Sequence, residues 1–407
     1  MPETELLINE EQALNRLMRF LAVDGVTGEE MAISKMVERD LVEAGIPRTD
    51  IMTDETKEKL KEEHEIDTQV GNLIVNLPGT YKAPRLLFST HLDTVPLARG
   101  AEPSLKGNRI VSNDSTTALG GDNRTGVAVL VTLAATLLDY KLPHPPMTLL
   151  FTIREESGLW GARTVTMEDL KNPVLGFNVD GSSARELCIG AVGAERWEVE
   201  IQGRASHAGV HPEEGISATI IASLALADVF RNGWFGKIKK QGKEGTSNVG
   251  VFGGFDRLSA GEATNVVTEY VHIEGESRSH DARFVKAITK AYREAFKKAR
   301  ERVTDNKKKK AKVEFTSRLD YHPFRLKENS PVVRHARNAV ETLGWDLTTK
   351  IGNGGLDANW LVRNGVPTVT FGAGQHNIHT TEEYVDVEEF YEGCMMALAL
   401  ATYQAKK

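Results

Sequence analysis

Four times in this chain a short apolar run breaks off into residues that bind metals or carry protons, and this repetition constrains the fold more than any other feature. Leu86–Thr90 leads into His91 and Asp93, Leu149–Arg154 into Glu155 and Glu156, Leu175–Val179 into Asp180, and Thr368–Gly374 into His376 and His379. Apolar runs without alternation suit strands buried on both faces, as in parallel sheets. Helical patterns at Thr125–Leu138, Val332–Thr342 and Val387–Tyr403 separate several of them. The expected architecture is α/β: a mixed, mostly parallel sheet with helices on both faces. In such open sheets ligands gather at the carboxyl ends of the strands, so the four acidic and histidine-bearing ends point to one site. Asp122 joins them from the turn Gly120-Gly121-Asp122, just ahead of a helix.

The middle of the chain follows a different rule. Strand candidates at Glu195–Ile201, Asn248–Phe252, Val266–Glu276 and Lys312–Leu319 alternate apolar and polar residues, as half-buried strands do. Helical runs at Ile216–Phe230 and Asp281–Arg302 interleave with them. The order β-α-β-β-α-β describes an inserted α+β domain of the split βαβ type with one open sheet face. A chain of 407 residues suits two domains. The expected division is residues 1–189 with 323–407 for the site-bearing domain and 190–322 for the insert.

A formal net charge of −7 argues against broad nucleic-acid binding, which runs on phosphate neutralisation by a basic surface. The lysine-rich stretch from Lys297 to Lys312 is expected to be a solvated helix end and turn. Only Cys188 and Cys394 carry thiols, and neither sits at ligand spacing to another thiol or a histidine, so neither a disulfide nor a thiolate metal site is expected. The N-terminus is acidic and amphipathic, unlike a signal peptide, and the apolar helix Met395–Thr402 is far shorter than the ~20 residues a bilayer requires. A cytoplasmic protein without membrane partners is expected.

The segments Ser89-Thr90-His91-Leu92-Asp93-Thr94-Val95-Pro96, Gly120-Gly121-Asp122-Asn123-Arg124-Thr125-Gly126, Arg154-Glu155-Glu156-Ser157-Gly158, Asn178-Val179-Asp180-Gly181 and Ser206-His207-Ala208-Gly209 resemble the motifs of the M20 metallopeptidase family. The match is to its peptidase T-like, tripeptide aminopeptidase branch, in family order along nearly the whole chain. The resemblance implies two zinc ions per chain, one held by His91 and Asp180, the other by Glu156 and His379, with Asp122 bridging both. Imidazole and carboxylate are ordinary zinc ligands, and three per ion leave room for water. Two zinc ions bring four positive charges and three carboxylates remove three, so a hydroxide would balance the site. Glu155 would be the general base, passing a proton from water to the departing amine. Glu155 and Glu156, adjacent on an extended strand end, would point in opposite directions. Asp93 would steady the His91 ring without binding metal. The resemblance also implies a cis peptide between Asp122 and Asn123.

Other roles stand beside these. Asp122 can cap its helix as well as bridge, Glu155 and Glu156 can form a plain acidic turn, and His376 competes with His379 as the last ligand. In the insert, His207 resembles the family histidine that stabilises the tetrahedral oxyanion in a neighbouring site. It is otherwise a surface-turn histidine. Asn265 and Arg278 flank the third strand of the insert as candidate substrate-binding residues, Arg278 competing with a structural ion pair. The activity implied is cleavage of short peptides by an aminopeptidase, in a homodimer paired through the insert. Carboxypeptidase, dipeptidase and N-acyl-amino-acid amidohydrolase chemistry use the same cage, and a non-catalytic binding module would be expected to have lost a ligand or Glu155.

Overall fold

The computed structural model describes residues 8–254, 256 and 258–403. The first residues of the N-terminus, on which the reading of a missing signal peptide partly rests, lie outside the described residues. The chain divides into two compact units, Met1–Ala191 with Arg325–Lys407, and Val192–Phe324.

The first unit is built on eight strands: β1 (Ile51–Thr53), β2 (Leu73–Leu77), β3 (Leu86–His91), β4 (Met147–Thr152), β5 (Leu175–Val179), β6 (Glu186–Cys188), β7 (Thr348–Lys350) and β8 (Thr368–Phe371). Their order across the sheet is β1-β2-β4-β3-β5-β8-β6-β7. The central pairings β4–β3, β3–β5 and β5–β8 are parallel, and β1 and β2 add an antiparallel margin. The central strands β3, β4 and β8 are buried along their whole length because both faces of the sheet are covered there. Along β3, Leu86 and Phe88 enter the larger core and Leu87 the smaller one on the opposite face, the two-residue alternation of a strand.

The larger core lies under helices Glu10–Leu21, Gly121–Asp139, Pro331–Glu341 and Val387–Thr402, and the smaller one takes in Val165, Leu170, Leu361 and Val366. Helix Gly121–Asp139 is buried from Gly121 through Leu137. Its close seat on the sheet depends on Gly126, where a Cβ would meet Thr90 Oγ1 at 2.2 Å and the Val179 carbonyl oxygen at 2.6 Å. The start of that helix is thereby pressed against the ends of β3 and β5. A second, four-stranded antiparallel sheet runs Gln375–His376, Tyr384–Asp386, Arg109–Ser112, Pro103–Lys106. Among the described residues no helix is long and apolar enough to cross a membrane.

The second unit is a five-stranded antiparallel sheet in the order Gly236–Lys240, Lys243–Gly253, Tyr270–Ser279, Gly193–Gln202, Lys312–Tyr321. Helices Ala218–Arg231 and Ala282–Arg302 share its core, in which Trp197 packs on Tyr292 at 4.4 Å between ring centroids. Two expectations are corrected here. The sheet has a fifth strand, Gly236–Lys240, which the apolar pattern concealed: Ile238 is its sole buried side chain, and lysines at 237, 239 and 240 mark a charged edge. It returns through Gln241-Gly242, both at positive φ (53° and 72°), the backbone that a tight two-residue hairpin requires. The strand expected from Val266 begins at Tyr270, because the preceding residues form an exposed loop. Lys307 to Lys310 are exposed beyond the last turn of the long helix, where Asp305 Oδ1 accepts the N–H groups of Lys307 and Lys309.

Candidate metal centre

Asp122 stands at the geometric middle of the site. Helix Gly121–Asp139 departs from helical geometry at this residue (ψ 101°), and the Asp122–Asn123 peptide is cis, as the resemblance implies. The carboxylate is aimed in two directions: Oδ1 lies 3.1 Å from His91 Nε2, and Oδ2 lies 3.3 Å from His379 Nε2. Asp180 at the end of β5 brings Oδ1 to 3.9 Å from His91 Nε2, and Glu156 brings Oε1 to 2.9 Å from His379 Nε2. Two candidate metal cages result, His91–Asp122–Asp180 and Asp122–Glu156–His379, with Asp122 common to both. Glu155 lies beside them, its carboxylate within 4.8 Å of ligand atoms of His91 and Glu156. His376 is placed elsewhere: it pairs with Glu389 at 2.5 Å and stacks on Tyr384.

The supporting groups differ in part from the sequence reading. His91 Nδ1 is 3.0 Å from the main-chain oxygen of Asp93 and 3.4 Å from its carboxylate, which fixes the ring and leaves Nε2 facing the cage. The Asp93 carboxylate has another role as well. Its Oδ1 accepts the Glu155 N–H (3.0 Å) and its Oδ2 the Glu156 N–H (3.2 Å). These two residues therefore lie in a turn after β4, not on an extended strand end, because one carboxylate draws both N–H groups to the same side.

Glu383 is not marked by the sequence, whereas Asp357 ends the loop Gly354-Gly355-Leu356-Asp357, which resembles a family loop lining the pocket and has no catalytic role in that reading. Glu383, 3 % exposed, accepts the N–H groups of Leu119, Gly120 and Asp122 and so holds the turn that carries the shared ligand. Asp357, 1 % exposed, receives the Thr152 hydroxyl. Glu383 follows another acidic residue in what reads as an ordinary loop, and no local pattern marks its burial.

The electrostatics are those of an acidic nest. Burial, reinforced by the charge of Asp122, pushes the Asp180 carboxyl up to about 8. Burial likewise raises Glu155 and Glu156, and raises Asp357 to about 6. Hydrogen bonds to Asp122 and Glu156 carry the His379 ring up to about 10. Burial opposes protonation of His91, yet Asp122 and Asp93 raise it. Burial would also raise Asp122, but the two rings hold its carboxyl well below the usual range. Close-set buried carboxylates that resist ionisation are what cations would relieve. The donor set fits two of them: imidazole nitrogens, one carboxylate with an oxygen for each side, and a separate carboxylate apiece.

The second unit holds the remaining candidates. His207 and Asn265 are exposed neighbours: Ala208 donates its N–H to the Asn265 main-chain oxygen at 2.8 Å, and His207 bridges to Val266. Arg278 sits near the other end of strand Tyr270–Ser279 and pairs with Glu276 at 2.9 Å.

Fold and site together define a metal-dependent peptide hydrolase. The chain belongs to peptidase family M20/M25/M40, whose profile matches residues 87–403, and its similarity to peptidase T enzymes and to the two structures below puts it on the peptidase T-like branch of that family. A tripeptidase from Staphylococcus aureus is 28% identical with a TM-score of 0.84, covering 98% of this chain and 99% of its own. The aminopeptidase PepT from Bacillus cereus is 30% identical with a TM-score of 0.79, covering 97% of this chain and 98% of its own. The uncharacterized Bacillus subtilis protein YqjE is 29% identical over 98% of this chain and its whole length.

Proposed function

We propose that the protein is a two-zinc aminopeptidase acting on short peptides, tripeptides foremost. The observation that carries this reading is the split aim of Asp122, one oxygen toward each histidine. His91, Asp122 and Asp180 would hold one ion, and Asp122, Glu156 and His379 the other. Bound there, the ions would supply Lewis acidity and lower the pKa of water toward ~7. Glu155 takes the proton of the attacking water and delivers it to the departing amine. Its carboxylate lies within 4.8 Å of ligand atoms of His91 and Glu156, close enough to the cage to serve a water held there. Substrate preference follows the names of the relatives, a tripeptidase and an aminopeptidase. A cytoplasmic location belongs to the same reading, in keeping with free, buried Cys188 and Cys394.

The reading includes a homodimer formed through the second unit. Ile220 (51 % exposed), Phe230 (70 %) and Phe235 (42 %) leave apolar surface on that unit, and Phe230 and Phe235 already touch, with ring centroids 6.5 Å apart. Asn265 lies in the exposed loop ahead of strand Tyr270–Ser279, and Arg278 near that strand's far end. In such a dimer His207 of one chain would serve the metal cage of its partner.

The test is a panel of free, N-blocked and C-amidated tripeptides, run with zinc-loaded and chelated protein. Cleavage of free and amidated but not N-blocked peptides, with two ions bound per chain, is expected. A preference for N-acylated substrates would replace the aminopeptidase by an amidohydrolase.

A further inference from the structure

Three consecutive main-chain N–H groups, those of Arg154, Glu155 and Glu156, are all donated to buried carboxylates from two distant parts of the chain. Asp93 receives the second and third, as described. The first goes to Glu30, whose Oε1 accepts from Arg154 at 3.2 Å and from Gly28 at 2.6 Å. Its Oε2 takes the Thr68 hydroxyl at 3.3 Å. Glu30 and Asp93 are both 0 % exposed.

Further contacts tie the same two segments. Thr27 Oγ1 lies 2.9 Å from Ser157 Oγ. The Arg154 side chain folds back, donating to Ser157 Oγ at 3.2 Å and to the Asp67 carbonyl oxygen at 2.6 Å. It passes so near Gly28 that a Cβ there would meet Nη2 at 2.4 Å. Arg154 itself is in the left-handed region (φ 53°), so the turn that presents Glu155 begins on a backbone conformation that its surroundings must enforce. A pair of buried carboxylates is a costly way to fill space, and an apolar side chain would do so more favourably if packing were the purpose. What the carboxylate adds is direction. It fixes one N–H at the root of the Glu155 turn while Asp93 fixes the next two.

We propose that Glu30 is a positioning residue for the hydrolytic reaction, holding the Arg154 N–H so that the Glu155 carboxylate is set against the metal cage. This rests on the reading of Glu155 as the base. Displacing a catalytic group by about 1 Å costs up to ~10²-fold in rate. Glu30→Met keeps the length of the side chain and removes both acceptors. It is expected to lower kcat at least ~10-fold with KM within about twofold, leaving the two cation-binding events seen by calorimetry unchanged. In the metal-free protein its Arg154 amide should exchange with solvent faster than in the wild type. Glu30→Gln keeps an oxygen acceptor for Arg154 and Gly28 and should restore kcat to within about threefold of wild type. Should Glu30→Met fail to fold, Glu30→Asp serves instead, since a carboxylate one methylene shorter withdraws from the Arg154 N–H and should show the same kcat loss. A wild-type kcat in the Met or Asp variant overturns the proposal, and so does a Gln variant as poor as Met, or a loss explained wholly by KM or by metal release. A Glu155→Ala variant run in parallel separates the two ideas: if it keeps its activity, the reading of the base has failed, whatever Glu30 does.

Discussion

The Glu383 carboxylate binds the main-chain N–H of Asp122 at 2.9 Å, a hydrogen bond that joins positions 261 residues apart. Its other oxygen takes the N–H groups of Leu119 and Gly120, at 2.9 and 2.8 Å. The residue that serves both candidate cages is therefore aimed by an acid that contacts neither imidazole.

Because Asp122 is common to the two cages, loosening it should weaken both ions together. Glu383→Gln turns an amide NH2 toward main-chain N–H groups and should reduce affinity for both ions about 10–100-fold, the usual cost of losing an outer support of a ligand. Calorimetric titration of the metal-free variant measures this. Weakening of one ion alone would show that the aim of Asp122 does not depend on Glu383.

Glu155 and Glu156 are neighbours with opposite assignments. Glu155→Ala should bind both ions normally and lose at least ~10²-fold in kcat, the lower range for a general base. Glu156→Ala should lose one ion. Metal analysis beside steady-state kinetics separates the two, and the reverse pattern would exchange their roles.

His335 gives the first unit a pH dependence remote from the site. Its ring lies 5.3 Å from that of Phe177 and 5.2 Å from that of Tyr403, and burial lowers its pKa, although the Leu400 carbonyl opposes this. The folded protein thus keeps His335 neutral at pH values where the unfolded chain has taken up a proton. Its contribution is full above ~6.5 and is lost as pH falls from there toward the folded pKa, by at most about 1.4 kcal/mol per pH unit. His335→Phe should flatten the decline in melting temperature between pH 7 and 5 relative to wild type. Parallel curves for the two proteins would contradict the assignment.

If His207 serves the partner's site, defective chains should rescue one another. Glu155→Ala and His207→Ala homodimers should each be poor catalysts. After re-pairing in equal amounts, half the dimers are mixed and each has one intact site, so about a quarter of wild-type sites should return. No recovery, with subunit exchange demonstrated by mass spectrometry, would confine His207 to its own chain.

The burial pattern of the central strands is legible because every residue of β3 and β4 is buried, and such strands declare themselves as apolar runs. Gly236–Lys240 escapes the same rule: an edge strand protected by lysine carries little apolar signal. At the site, residue types that bind metal stand out wherever strands end, so His91, Asp180 and the Glu155–Glu156 pair attract notice in sequence. Glu383 and Glu30 do not. Each acts through a main-chain N–H far along the chain, and an N–H group looks the same at every position. The turn at Glu155 and Glu156 is hidden from the sequence for the same reason, since what bends it is the carboxylate of Asp93, which lies just past the end of β3.

The first unit is assembled from two stretches of chain with the whole of the second unit between them. The order of synthesis then matters. β8 lies between β5 and β6, so the central sheet stays open until residue 371 has left the ribosome. Val192–Phe324 is one unbroken segment and can fold while the rest is still being made. By then His91, Asp122, Glu156 and Asp180 already exist, and His379 follows only after β8. A nascent chain thus displays an acidic half-cage and an unpaired strand edge for the time it takes to add nearly two hundred residues, roughly 10–40 s at ordinary elongation rates. Premature capture of a metal ion and edge-to-edge association are the hazards particular to this chain order.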